Sequence, residues 1–148
     1  MAAVVLGADQ ASKAWANNAL TPGREVTVVP GWIWVRLAHN SGATLGLFSG
    51  RSDLIAIVSL VVLAAVALLA LRYPPGGLAG ALMLGALLGG GLSNILDRIR
   101  VGSVTDFIEV HLWPTDFNLA DAAIRLGVVL FLLSLLVEAL RGPGRPAD

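Results

Sequence analysis

The sequence contains no cysteine, and only two of its 148 residues are histidine. Disulfides, thiolate catalysis and thiolate metal sites are therefore excluded. Charge is also scarce, at 14% of the chain, and ten basic residues balance ten acidic ones. The chain lacks the basic surface that would neutralise nucleic-acid phosphates, so we expect no nucleic-acid partner.

Apolar residues make up 56% of the chain, which is more than the core of a water-soluble domain requires. Stretches of about 20 apolar residues, at about 1.5 Å per residue, cross a hydrocarbon core of roughly 30 Å. The amino terminus lacks the basic start of a cleavable signal and is interpreted as mature protein. We predict an all-α membrane protein, one domain over residues 1–148, with four transmembrane helices at about 2–20, 54–71, 77–96 and 119–140.

The long polar region at about 24–50 shows a different pattern. Trp32, Trp34 and Arg36 alternate with apolar residues, which is the two-residue period of a strand with unlike faces. We expect a small β-sheet on the membrane surface, where tryptophan is favoured. Four spans also place this connection on the same side of the membrane as the one at 97–118.

Several charges lie inside or beside the predicted spans, where each costs about 2.5–3.5 kcal/mol near a helix centre. Asp9 and Lys13 are spaced i, i+4, as are Asp121 and Arg125. Each pair is expected to be capable of an ion pair along one helix face.

Two aspartates stand out as candidates for chemistry. Asp106 lies in the second long connection, and Asp121 lies in the opening turn of the last span. Two carboxylates in a partly dry site cannot both ionise easily, so one retains a proton while the other activates water. Asn118, three residues before Asp121, suits either a helix N-cap or the site itself. The spacing allows the two aspartates to meet but does not require it.

Five segments in order resemble the lipoprotein signal peptidases, or signal peptidase II. The resemblance covers nearly the whole chain, and together the five segments are specific. Ser93 departs from the pattern, because the family usually has glycine there. The segments are Asp9-Gln10-Ala11-Ser12-Lys13, Asn40-Ser41-Gly42-Ala43, Gly89-Gly90 through Asn94 with Asp97-Arg98, Val104 through Phe107, and Phe117-Asn118-Leu119-Ala120-Asp121 with Ile124.

The resemblance implies a four-helix aspartyl endopeptidase of the bacterial inner membrane, with both termini in the cytoplasm and an extracytoplasmic sheet and active site toward the outer leaflet. Such enzymes cleave prolipoproteins just before a cysteine that carries a diacylglyceryl group. Asp106 and Asp121 fall on the catalytic pair. We expect a monomer whose partners are this substrate and membrane lipid, without metal or other cofactor. Supporting positions fall on Asp9, Lys13, Asn40, Gly42, Asn94, Asp97, Arg98 and Asn118.

Other functions are less well supported. Ser12 and Lys13 would provide a nucleophile and a base, but adjacent helical residues point about 100° apart. A metal site would have to use His39, His111 and acids, and neither histidine lies in a helical metal-binding motif. A small ion or proton transporter, or a scaffold that binds lipid or helices, would also explain charges within the spans.

Overall fold

The computed structural model describes residues 1–42, 50–73 and 76–141, so Ala43 and the predicted Pro74-Pro75 turn lie outside the described residues. These residues form four helices and three strands. In chain order they are α1 (Ala2–Ala19), β1 (Glu25–Val29), β2 (Ile33–Asn40), α2 (Ser52–Arg72), α3 (Gly77–Val101), β3 (Val104–Val110) and α4 (Leu119–Arg141).

The four helices occupy the four predicted apolar regions. Among the described residues, α2 and α3 are long and apolar enough to cross a membrane by length and composition. Side chains such as Val61 on α2 remain about two-thirds exposed, at 63%. An apolar helix surface of this kind is suited to lipid. The crossing of the membrane by α1 and α4 remains a prediction.

The centre of the bundle is α3, which approaches its neighbours through consecutive glycines. Gly89 lies directly against the backbone of Ala2 on α1. A Cβ on Gly90 would lie 2.7 Å from the carbonyl oxygen of Ala120 on α4. The absence of side chains at these glycines allows the helix backbones to approach closely.

The strands form one antiparallel sheet in the order β1-β2-β3. The predicted strand is confirmed, although it begins at Ile33, and Trp32 belongs to the preceding turn. The third strand was not predicted. It pairs with β2 so that Asn40 lies opposite Val104 and Ala38 opposite Asp106. Both long connections therefore lie at the same end of the bundle.

The end of α3 positions the third strand. The helix continues to Val101, past the predicted limit near 96, and Gly102 then turns the chain with a φ of 72°. Glycine adopts this left-handed conformation without the steric cost of a side chain. On β3, the buried ring of Phe107 packs against Ala16 and Leu20 near the end of α1. The sheet is thereby held over one end of the helices.

Candidate active site

The structure brings Asp106 and Asp121 to one cavity beneath the sheet. Asp106 lies on β3 and is 2% exposed, whereas Asp121 lies in the first turn of α4. The cavity has a volume of about 60 Å³, which is enough for a few water molecules at roughly 10–15 Å³ each. Its lining consists of Asn40, Gly42, Asn94, Arg98, Val104, Asp106 and Asp121.

Both carboxylate oxygens of Asp106 accept amide hydrogen bonds. Asn118 donates from Nδ2 to Oδ1 over 2.7 Å, and Asn40 donates from Nδ2 to Oδ2 over 3.2 Å. The Asn40 amide is itself oriented, since its Oδ1 accepts the backbone N–H of Gly42 over 2.9 Å. The amides of Asn118 and Asn40 therefore fix the orientation of the Asp106 carboxyl group.

Asp106 retains its proton unusually well. Burial first, and the negative charge of Asp121 second, raise the pKa of the Asp106 carboxyl from 3.8 to about 7. The hydrogen bonds from Asn40 and Asn118 and the charge of Lys13 oppose this rise in pKa without cancelling it. Near neutral pH, a substantial fraction of Asp106 is thus a neutral acid that can donate a proton.

The side-chain amide of Asn94 holds Asp121, and Lys13 fixes the orientation of that amide. Asn94 donates from Nδ2 to Oδ1 of Asp121 over 2.7 Å. The Oδ1 of Asn94 accepts from the Lys13 ammonium over 2.8 Å. Because an ammonium can only donate, it requires the oxygen of Asn94 to face Lys13 and the NH₂ group to face Asp121. Lys13 acts on the cavity through Asn94 and does not line it.

Asn118 fulfils both of the roles that its position suggested. Its Oδ1 accepts the backbone N–H of Asp121 over 2.9 Å, which caps the first turn of α4. Its Nδ2 donates to Asp106, as above, and also approaches Oδ1 of Asn94 at 3.3 Å. One fully buried side chain therefore fixes the start of the helix that carries Asp121 and orients the other aspartate.

Asp9, Lys13 and Asp97 form a buried charge cluster behind the cavity. The predicted ion pair between Asp9 and Lys13 is confirmed at 2.6 Å, and Lys13 also contacts Asp97 at 2.9 Å. Asp9 accepts the backbone N–H of Ala120 over 2.8 Å. Since this N–H belongs to the first turn of α4, Asp9 caps that helix from α1.

Two polar residues of the cluster were not predicted as contributors. Gln10 donates to Oδ1 of Asp97 over 2.7 Å and to the hydroxyl of Ser93 over 2.9 Å. Ser93 in turn donates to Asp9 over 2.7 Å. The Ser93 hydroxyl on α3 therefore accepts one hydrogen bond from α1 and donates another to it. The only signal for Gln10 in the sequence is its place within the first segment.

Arg98 ties the segment after β2 to α3. Its Nη2 donates to the carbonyl oxygen of Gly42 over 3.1 Å, and its Nη1 reaches the carbonyl oxygen of Asn94 at 3.4 Å. Among the residues with described positions, its Nε is buried without a hydrogen-bond partner. The side chain of Arg98 also lines the cavity.

The ion pair considered for Asp121 and Arg125 is wrong. The Arg125 guanidinium lies over the ring of Trp113 at 4.6 Å and over that of Phe117 at 5.1 Å. Aromatic faces attract a guanidinium, and both rings lie in the segment that precedes α4. The Arg125 guanidinium therefore packs against aromatic rings and forms no ion pair with Asp121.

The residues of the alternative sites do not reach the cavity. His39 lies on β2 opposite Thr105, and His111 packs against the rings of Trp32 and Trp34. The hydroxyl of Ser12 donates to the carbonyl oxygen of Asp9 over 2.7 Å. Over residues 1–42, 50–73 and 76–141, no three histidine or acidic side chains are grouped as a metal site.

Comparison with known proteins connects this geometry to one family. Residues 1–137 match the model of the family described as signal peptidase (SPase) II. A lipoprotein signal peptidase of Moorella thermoacetica is 37% identical over 140 residues, covering 94% of this chain and 92% of that protein. One from Gloeobacter violaceus is 37% identical over 151 residues, covering 99% of this chain and 87% of that protein.

Two solved structures share the fold. Both are described as bacterial membrane enzymes studied by the in meso method. One has a TM-score of 0.91 at 26% identity and covers 99% of this chain and 92% of its own. The other has a TM-score of 0.82 at 28% identity and covers 91% of this chain and 89% of its own.

Proposed function

Because this chain belongs to the signal peptidase II family, we propose that it cleaves lipoprotein signal peptides with Asp106 and Asp121 as its catalytic pair. Family membership makes it a membrane peptidase that acts on prolipoproteins. The aspartic mechanism is our inference. One observation carries it, namely that the two carboxyl groups line the same polar cavity and that Asp106 retains a proton near neutral pH.

The unequal surroundings of the two carboxyl groups suggest how they divide the work. We assign the acidic proton to Asp106, because burial and the charge of Asp121 raise the pKa of its carboxyl to about 7. Asp121 then removes a proton from water as the water oxygen attacks the scissile carbonyl carbon. Asp106 donates its proton to the carbonyl oxygen. When the tetrahedral intermediate collapses, the proton on Asp121 passes to the leaving amine, and Asp106 recovers a proton from the hydroxyl.

The supporting residues keep this geometry before substrate arrives. Asn118 and Asn40 orient Asp106, whereas Asn94, oriented by Lys13, holds Asp121. Prearranged donors of this kind avoid reorganisation during the reaction. Arg98 lines the cavity with a cationic side chain and is suited to bind a carbonyl oxygen of the substrate backbone.

The membrane arrangement is part of the proposal. We infer that all four helices span the bacterial inner membrane, with both termini in the cytoplasm and the sheet and cavity toward the outer leaflet. The pairing of β2 with β3 supports this topology because it gathers both long connections at one end of the helices. Half-exposed tryptophans at that end, such as Trp32 and Trp113, suit the bilayer interface.

We infer that the protein acts as a monomer. Its substrate would be a prolipoprotein whose cysteine already carries a diacylglyceryl group. Its acyl chains would remain in lipid beside the exposed apolar helices while the peptide enters the cavity. A transporter is not favoured, since the family matches are to peptidases.

The test of substrate class uses the purified protein in detergent micelles. It compares a prolipoprotein carrying diacylglyceryl-cysteine with the same polypeptide unmodified, and mass spectrometry locates the cut. We expect cleavage only of the modified form, directly before the lipidated cysteine. Equal cleavage of both forms, or a cut elsewhere, would contradict the proposed specificity.

A further inference from the structure

Among the residues that the structure describes, Arg125 is a cation with no anion beside it. Its guanidinium contacts the rings of Trp113 and Phe117. Within the part of the chain that the structure describes, no carboxylate pairs with this guanidinium and no acceptor takes a hydrogen bond from it. The two nearest candidates by sequence are otherwise engaged, because Asp121 binds Asn94 over 2.7 Å and Asp116 pairs with Arg36 at 3.0 Å.

The position of Arg125 on α4 points toward lipid. At about 1.5 Å per residue it lies about 9 Å below the start of the helix. The next residues on its side of the helix, Val128 and Val129, are 39% and 51% exposed, as expected for a surface that faces acyl chains. A charged group at this depth normally extends toward the interface, where it meets headgroups. Here it extends toward Trp113, an aromatic residue of the type that concentrates at that level.

We propose that Arg125, held against Trp113 and Phe117, binds the phosphate of a membrane phospholipid. Both ring centroids lie close to the guanidinium carbon, at 4.6 Å and 5.1 Å, and within the described residues no protein acceptor occupies the N–H groups of Arg125. The N–H groups of a guanidinium form a planar fork that can donate to two oxygens of one phosphate. This site rests on the proposed membrane placement of α4 and does not depend on peptidase activity.

The same helix face gives this lipid site a defined neighbour. Asp121 precedes Arg125 by one helical turn and lines the cavity. A phospholipid whose phosphate binds Arg125 would therefore lie at the lipid-facing border of the candidate active site. The headgroup of this phospholipid would lie at the border, and its acyl chains would lie alongside Val129.

Native mass spectrometry of the detergent-solubilised full chain tests this proposal. The probes are phosphatidylglycerol, diacylglycerol with the same acyl chains, and inorganic phosphate, applied to wild type, Arg125→Gln, Arg125→Lys and Arg100→Gln. Arg100 is an exposed arginine at the end of α3, at the same end of the helices, and serves as the matched control.

We expect Arg125→Gln to bind phosphatidylglycerol about tenfold more weakly than wild type, which is about 1.4 kcal/mol. Arg125→Lys should fall between them because it keeps the charge and loses the planar fork. Diacylglycerol should bind all four proteins equally, and Arg100→Gln should match wild type.

Three results would overturn the proposal. Equal phosphatidylglycerol binding by wild type and Arg125→Gln would leave only a packing role, particularly if the variant also melts at a lower temperature. An equal loss of diacylglycerol binding would point to an acyl-chain groove. Inorganic phosphate binding as tightly as phosphatidylglycerol would identify a site for free phosphate instead of lipid.

Discussion

Replacing Asp106 with asparagine should change the pH dependence of stability in a defined direction. The raised pKa means that the folded protein binds the Asp106 proton more tightly than the unfolded chain does. Between pH 3.8 and about 7 the unfolded side chain ionises while the folded one stays protonated. The free energy of unfolding therefore falls as pH rises through this window, and no further above it.

The size of the effect follows from the same two values. At 1.36 kcal/mol per pKa unit, the difference between 3.8 and about 7 corresponds to about 4 kcal/mol. Asparagine does not titrate, so the variant escapes this loss. The variant does lose the hydrogen bond from Asn40, because the NH₂ groups of the new asparagine and of Asn40 then face each other. This loss costs about 1 kcal/mol. Asp106→Asn should be slightly less stable than wild type near pH 4 and more stable by a few kcal/mol at pH 8.

Thermal unfolding in detergent, followed by the fluorescence of the four tryptophans, measures this difference from pH 4 to 8.5. Asp121→Asn is the informative companion variant. It removes the second cause of the raised Asp106 pKa, so its stability loss should end at a lower pH than in wild type. A melting-temperature difference between Asp106→Asn and wild type that stays constant over the whole range would refute the argument.

Two further predictions concern the packing behind the site. Gly90→Ala should destabilise the protein by about 1–3 kcal/mol, because its Cβ would lie 2.7 Å from the carbonyl oxygen of Ala120. Gly7→Ala, whose Cβ would meet nothing within 4 Å, should leave stability unchanged or raise it by up to about 1 kcal/mol. Asp9→Asn should lower stability by about 3 kcal/mol and reduce cleavage, since it removes one of the two carboxylates that pair with the buried Lys13 ammonium. Equal melting temperatures for the two glycine variants, or an unchanged one for Asp9→Asn, would contradict these assignments.

The helices could be predicted from the sequence because their signals are local. Runs of apolar residues located α2 and α3. The i, i+4 spacing of Asp9 and Lys13 was enough to predict their ion pair. Periodicity and spacing carry this information within one element.

The features that were missed depend on contacts between distant parts of the chain. Strand β3 contains Asp106 within a segment that has no strand-like alternation, and it forms because it pairs with β2. The link from Lys13 through Asn94 to Asp121 joins three helices. The i, i+4 spacing suggested an ion pair between Arg125 and Asp121, but Arg125 contacts the ring of Trp113 in the preceding segment instead.

The central claim is that Asp106 and Asp121 together carry out the hydrolysis. Its most direct measurement is the initial rate of cleavage of a diacylglyceryl-modified prolipoprotein in liposomes by wild type, Asp106→Asn and Asp121→Asn, each first shown to be folded by its melting curve. Asp116→Asn is the matched control, because Asp116 pairs with Arg36 outside the cavity. We predict that either catalytic variant loses about 10³-fold or more of the rate, as expected when a general acid or base is removed, and that the control keeps it. Near-normal cleavage by either Asp106→Asn or Asp121→Asn would contradict the account.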